Sequence, residues 1–369
     1  MKPALLPTIR GRGAQANPSN RFERLHIQPG PSELAEEWEL EEPGRPTTQF
    51  FRDHSRSILA SNTSPDIPYR HSINAYRGCE HGCIYCYARP THEYLGFSAG
   101  LEFETKIMVK DAAPALLRRE LSKKGWTPQP IAMSGVTDIY QPAERHFRLT
   151  RQLLEVLLDF RNPVTLITKN ALILRDLDLL SELARLRLVS VALSVTTLRE
   201  DLRRTMEPRT STAARRLDAV AKLSAAGVPV GVMMGPVIPG LTDEELPAVV
   251  KAAAAAGALW AGYNVVHFPH GTAELFLDWL ERCYPQARRR VEGRIREVRG
   301  GELNDPRFGS RMTGTGPYAQ SIAALYRVAC LRAGLPRARE RLDVTGFRVP
   351  GLRLLSAQPG LFDDATDQR

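Results

Sequence analysis

From Tyr69 onward, short apolar runs alternate with amphipathic stretches. "HSINAYRG" (71–78) predicts a first strand, and helical text follows over 111–124. "PIAMSGVTD" (130–138) is a second apolar run that ends in small polar residues. In "HFRLTRQLLEVLLDFRN" (146–162), Leu149, Leu153, Val156, Leu157 and Phe160 recur at helical spacing. Strand and helix then alternate: "PVTLITKN" (163–170), a helix over 172–187, "LVSVALSVTT" (188–197), and a helix over 212–227 stopped by Gly227. "VPVGVMMGPVIPG" (228–240) is a fifth strand. A helix over 241–257 follows, with Thr242 and Glu245 spaced as a capping box, and "GYNVVHF" (262–268) is a sixth strand.

Strands that are apolar throughout, each followed by a helix, predict a parallel sheet covered by helices. The fold class is therefore α/β. Six units fall short of the eight in a closed barrel. The expected architecture is a partial (β/α)6 TIM-type barrel with an N-terminal extended arm and a helical C-terminal extension. Residues 1–66 are polar and rich in Pro, Arg and Glu, and include "GRGAQANPSNRFE". They read as an extended, partly disordered arm. Residues 67–270 form the barrel. Residues 271–369 form an extension with one clear helix at 318–334 and a flexible tail. In a barrel of this kind the working groups sit at the carboxyl ends of the strands. Here those ends carry Gly78, Ser134 to Asp138, Thr168 to Asn170, Ser194 to Thr197, Gly235 to Asp243, and His267.

Composition adds little to the fold but limits the partners. Fifty Lys and Arg against 41 Asp and Glu give a net charge of +9, which permits a polyanion such as nucleic acid. The run "ARRRVEGRIREVR" suits a phosphate backbone. No apolar run reads as a membrane span or as a signal peptide. Five cysteines, an odd number with three of them clustered, make a poor disulfide framework and place the chain in the reducing cytoplasm.

Those three, Cys79, Cys83 and Cys86, have the spacing C-x3-C-x2-C. Thiolates hold zinc and iron–sulfur clusters. Zinc would need a fourth ligand from His81, His92 or elsewhere. A four-iron cluster on three thiols keeps one iron open for a substrate.

"GCEHGCIYCYA" (78–88) resembles the signature of the radical S-adenosylmethionine (SAM) superfamily, with an aromatic residue before the third cysteine. The resemblance extends over 69–270 and implies a partial (β/α)6 barrel. It also implies a [4Fe-4S] cluster on Cys79, Cys83 and Cys86, and bound SAM. One electron from an external donor then cleaves SAM and releases a 5′-deoxyadenosyl radical. Tyr85 would pack near the adenine. "SGVTDIYQPAE" (134–144) is similar to the spore photoproduct lyase branch, where Ser134, Thr137 and Asp138 take the place of the usual Gly-Gly-Glu-Pro. Thr168 and Lys169 would face SAM, and Ser194 would bond the ribose. Ile238, Gly240 and Asp243 in "PVIPGLTDEE" would border the adenine, although Pro236 stands where the family has glycine.

The branch acts on damaged DNA and returns a hydrogen atom from a barrel cysteine. This chain has no cysteine between Cys86 and Cys283, so that role falls to a tyrosine or to nothing. Near the end, Gln358, Leu361 and Phe362 resemble the short peptide with which bacterial repair proteins dock to the sliding clamp. Two alternatives stand beside the enzyme on nucleic acid. One is a zinc-stabilised nucleic-acid-binding protein without activity. The other is a radical SAM enzyme with a protein or small-molecule substrate.

Overall fold

The computed structural model describes residues 9–22, 46–335 and 341–351. Its strands are β1 (Gln49–Arg52), β2 (Leu59–Ser61), β3 (His71–Ile73), β4 (Tyr76–Arg77), β5 (Lys106–Val109), β6 (Ile131–Met133), β7 (Val164–Thr168), β8 (Val189–Ser194), β9 (Val230–Val237) and β10 (Ala261–Val265). Seven of them form the main sheet, in the order β10-β9-β8-β7-β6-β3-β2. The six from β3 to β10 run parallel, and β2 closes the edge antiparallel to β3. This is the expected partial (β/α)6 barrel. All six residues of β8 are buried, as strands covered on both faces require. Gly231 in β9 has no alternative, because a Cβ there would stand 2.2 Å from the Trp260 ring.

The covering helices are α1 (Ala113–Leu121), α2 (Leu149–Phe160), α3 (Leu177–Arg185), α4 (Glu200–Met206), α5 (Ala213–Ala225) and α6 (Leu246–Ala255). Apart from α4, whose Leu202 and Met206 join the cluster of Cys83 and Tyr85, their apolar stripes meet the sheet in one core, where Leu153, Leu157, Leu183, Val220 and Val250 pack with Leu166, Val191 and Val232. The helix expected over 146–162 begins only at Leu149, because Arg148 turns left-handed at φ +51°. The capping box at Thr242 does not form. Thr242 Oγ1 instead accepts a hydrogen bond from Ile238 N at 2.8 Å. Glu245 accepts from Thr197 Oγ1 and Leu198 N, so both side chains tie strand-end loops together.

Beyond 270 come α7 (Thr272–Cys283), α8 (Arg288–Val298) and α9 (Gly316–Arg332), of which the sequence pattern had marked only the last. α9 packs on α6. Three of the five arginines of α8 are paired nearby: Arg288 with Glu281, Arg294 with Glu297 and Arg296 with Glu292. Arg299 is buried and donates to the carbonyls of Val265 and Val266. Arg289 and Arg290 of α8 are exposed, so part of the charge of this run stays at the surface.

Within 1–66, β1 pairs with β5 and β2 with β3, so the described parts of this arm are bonded to the body. Gln358, Leu361 and Phe362 lie outside the described residues. Among the described residues, no helix is long and apolar enough to cross a membrane.

Candidate active site

β4 delivers the chain into the cysteine loop through Gly78. The loop can turn here because Gly78 adopts φ +81°, and a Cβ on it would meet Lys106 O at 2.9 Å. Cys79 N donates to Phe103 O at 2.9 Å, and Cys86 N to Cys83 O at 3.2 Å. Arg89 is fully buried and donates from Nε and Nη2 to Cys83 O at 3.1 and 2.9 Å. The loop thus has one conformation, held by backbone and guanidinium bonds.

All three thiols line a cavity of about 370 Å³ at the carboxyl ends of the strands. Burial first, and then a nearby carboxylate, pushes two of them up: Asp138 acts on Cys79 and Glu207 on Cys83. Such thiols give up their protons only to a strong cationic centre. Among the described residues, no three His, Cys, Asp or Glu side chains converge on a single-ion site. Cys283 and Cys330 do not line the cavity.

His81, a candidate fourth zinc ligand from the sequence, is buried. Its Nδ1 stands 3.3 Å from Asp138 Oδ2 and its Nε2 3.2 Å from Asn170 Nδ2, so neither nitrogen is spare. His92 is buried against Phe97 and Phe103 and is not part of the lining. Arg77 turns to Asp53 at 2.7 Å, and Arg89 pairs with Glu104. Both arginines flanking the cysteines are therefore occupied by the scaffold.

Of the residues expected around SAM, Tyr85, Ser134, Thr137, Asp138, Thr168, Lys169 and Ser194 all line this cavity. Asp138 is the best anchored. It accepts from Thr168 Oγ1 and Lys169 N, both at 2.7 Å, and from Tyr140 N at 2.9 Å. Burial alone would raise its pKa; His81 and these donors outweigh that and hold it at about 2. Asp138 is thus a bracket between the ends of β6 and β7. Ser134 takes φ +86° and donates to Thr137 O. Lys169 Nζ lies 5.7 Å from the centre of the Tyr85 ring.

Ile238 and Gly240 are not in the lining. Ile238 is buried in the same apolar cluster as Tyr85. Gly240 N donates to Asp243 Oδ1, which closes the turn after β9, and Asp243 accepts from Tyr318 OH.

The cavity also holds residues that the sequence did not single out as a site. Tyr87 stacks on His267, with centroids 5.6 Å apart and an interplanar angle of 22°. Tyr87 OH donates to Gly135 O at 2.6 Å. Burial and the charges of Arg299 and Arg311 bring His267 down to about 4, so its imidazole is neutral at pH 7. Arg311 and Met312 arrive from the extension, where Arg311 pairs with Asp66 at 2.6 Å. Behind Tyr85, its hydroxyl donates to the buried Glu207, which also pairs with the buried Arg216. Adjacency to Cys86 and to a strand end are the sequence signals for Tyr87 and His267. Arg311 and Glu207 have none.

An uncharacterized protein of Mycobacterium tuberculosis is 39% identical over 222 residues, which is 60% of this chain and 65% of its own length. An uncharacterized protein of Methanocaldococcus jannaschii is 31% identical over 176 residues, 48% of this chain and 63% of its own. The matched part thus spans less than two thirds of either relative. A structure of spore photoproduct lyase complexed with dinucleoside spore photoproduct superposes with a TM-score of 0.55, over 78% of this chain and 79% of that one. At 16% identity this likeness concerns the fold. Residues 73–253 match the family model of the radical SAM superfamily. They include the cysteine loop and four of the six parallel strands, β6 to β9, and through them the chain belongs to the radical SAM superfamily.

Proposed function

We propose that this protein is a radical SAM enzyme that holds a [4Fe-4S] cluster on Cys79, Cys83 and Cys86 and acts on nucleic acid. One observation carries the first part. Three thiols from one loop share a cavity wall, and His81, the imidazole beside them, is already bonded at both nitrogens. This donor set fits a cluster with one iron left open. When bound, the cluster supplies the electron that reductively cleaves SAM. The chain's own part is to position and to exclude water. Lys169 places a cation beside Tyr85, whose ring is the face offered to the adenine. Asp138 is spent on the strand ends, so its role is to shape the SAM site rather than to bond the cofactor.

The substrate reading rests on the Tyr87–His267 stack. Two parallel rings on the cavity wall, with Tyr87 46% exposed, form a platform for a planar base. The related fold of spore photoproduct lyase, solved with a dinucleoside photoproduct, supports the same class. The lining holds no cysteine other than the three clustered ones, and of its hydroxyl-bearing residues Tyr87 is the most exposed to an incoming substrate.

The test is anaerobic reconstitution with iron and sulfide, followed by dithionite and SAM. The expected result is about four irons per chain and formation of 5′-deoxyadenosine. Iron-loaded protein that forms none overturns the proposal, and a single bound zinc favours the non-enzymatic alternative. Damaged and intact oligonucleotides, compared by mass spectrometry after the same incubation, test the substrate class.

A further inference from the structure

The stretch "GRGAQANPSNR" (11–21) is absorbed by neither the barrel nor the cavity. None of its residues enters the barrel core. Its hydrogen bonds go instead to the segment 93–104 that supports the cysteine loop, and to Pro46 and Thr48. Gly13 N and Ala14 N donate to Glu104 at 3.0 and 2.8 Å. Glu104 is fully buried and also receives Arg89, the residue that grips Cys83 O. The strap, Glu104, Arg89 and the Cys83 carbonyl thus form one continuous relay.

The fit is close. A Cβ on Gly13 would stand 1.9 Å from Gly82 O, and one on Gly82 would stand 2.5 Å from Glu104 Oε2. Glycine is required on both sides of this crossing, and Gly82 is the residue just before Cys83. Ala14 is fully buried in the cluster that contains Cys83 and Tyr85. Arg12 fastens the strap further, donating to Glu104 O at 2.7 Å and to Thr48 Oγ1 at 3.0 Å. Thr48 in turn donates to Glu80, which lies between Cys79 and Cys83. At the far end, Leu101 N donates to Ala16 O, and a Cβ on Gly100 would stand 2.1 Å from that oxygen.

We propose that Arg12–Ala14 are a clasp on the cysteine loop that governs how firmly the cluster is retained. This inference rests on the reading of Cys79, Cys83 and Cys86 as cluster ligands. Gly13 and Glu104 are positioning residues, since they act through Gly82 and Arg89 rather than on the cluster itself.

The test compares wild type, Gly13→Val and Gly100→Val as full-length proteins. Each is reconstituted anaerobically and then challenged with an iron chelator, with cluster loss followed by visible absorbance. The thermal midpoint of each unloaded protein is measured alongside. Loss about tenfold faster in Gly13→Val is expected, the factor carried by one charge-assisted hydrogen bond. Gly100→Val should accelerate loss in the same direction. Both unloaded variants should still fold and unfold cooperatively, at a midpoint lowered by the local clash, because the strap lies outside the barrel core. Equal loss rates in Gly13→Val and wild type overturn the clasp. So does unfolding of the unloaded variants, which would make the strap part of the fold. Wild-type protein that takes up no iron overturns the cluster reading instead, a result distinct from either.

Discussion

Glu207 is a carboxylate with no exposure to water, and it receives Arg216, Thr196 and the hydroxyl of Tyr85. Replacing it with Gln keeps the shape and removes the charge, which leaves the Arg216 guanidinium, 1% exposed, without a counterion. Breaking one side of a buried pair typically costs about 3–5 kcal/mol. A second route gives a similar size. Burial works to raise the Glu207 pKa, but Arg216, Lys169 and Tyr85 prevail and hold it at about 2 against the ordinary 4.5. At about 1.4 kcal/mol per pH unit, that difference amounts to about 3 kcal/mol. The sign follows from the depressed value. The contribution is complete above pH 4.5 and is lost as pH falls towards about 2, because the unfolded chain takes up its proton first. Urea unfolding of the unloaded protein at pH 7 should therefore show Glu207→Gln less stable by about 3 kcal/mol, with the gap narrowing steadily below pH 4.5. A loss below about 0.5 kcal/mol at pH 7, the size of an ordinary surface change, would refute the reasoning. So would a gap that does not change with pH.

Replacing any one of Cys79, Cys83 or Cys86 with Ala should abolish the iron-linked visible absorbance and 5′-deoxyadenosine formation, whereas Cys330→Ala should spare both. Tyr87→Ala removes half of the stacked pair. Oligonucleotide binding by fluorescence anisotropy should weaken by about tenfold, in keeping with the stacking of one base, with SAM cleavage in the absence of substrate unchanged. Gly231→Val forces a side chain into the Trp260 ring and should destabilise the barrel by about 1–3 kcal/mol, read as a lowered thermal midpoint. Deleting the last twelve residues, which carry Gln358, Leu361 and Phe362, should abolish capture by a bacterial sliding clamp in a pull-down.

The parts of this molecule that were legible in the sequence are those whose cause is local. β8 reads as a strand because all six of its side chains are buried, so its only polar residues, Ser190 and Ser194, are small. The cysteine loop is legible because thiol spacing is itself the chemistry. Features that depend on distant partners were not. Glu245 sits where a capping box would use it, yet Thr197 and Leu198 lie closer to its carboxylate and win. His81 sits in a loop, and a loop histidine reads as exposed until Asp138 and Asn170 arrive from two other strand ends. The arginines of 287–299 read as a phosphate stripe because spacing does not show that Glu281, Glu292 and Glu297 answer three of them. Arg311 reaches the cavity wall through Asp66, 245 positions earlier, a distance over which no sequence period carries information. The strap stands between these cases. Its contacts with Glu104 span about ninety residues and were invisible, but its glycine was not. A glycine with no turn to make, beside an arginine in "GRGA", marks a place where another backbone passes within touching distance. Gly82, between Cys79 and Cys83, has a different cause: it takes φ +64°, and a Cβ on it would stand 2.5 Å from Glu104 Oε2. Of the two, Gly13 is the glycine that answers a passing backbone, the carbonyl of Gly82 at 1.9 Å from its missing Cβ.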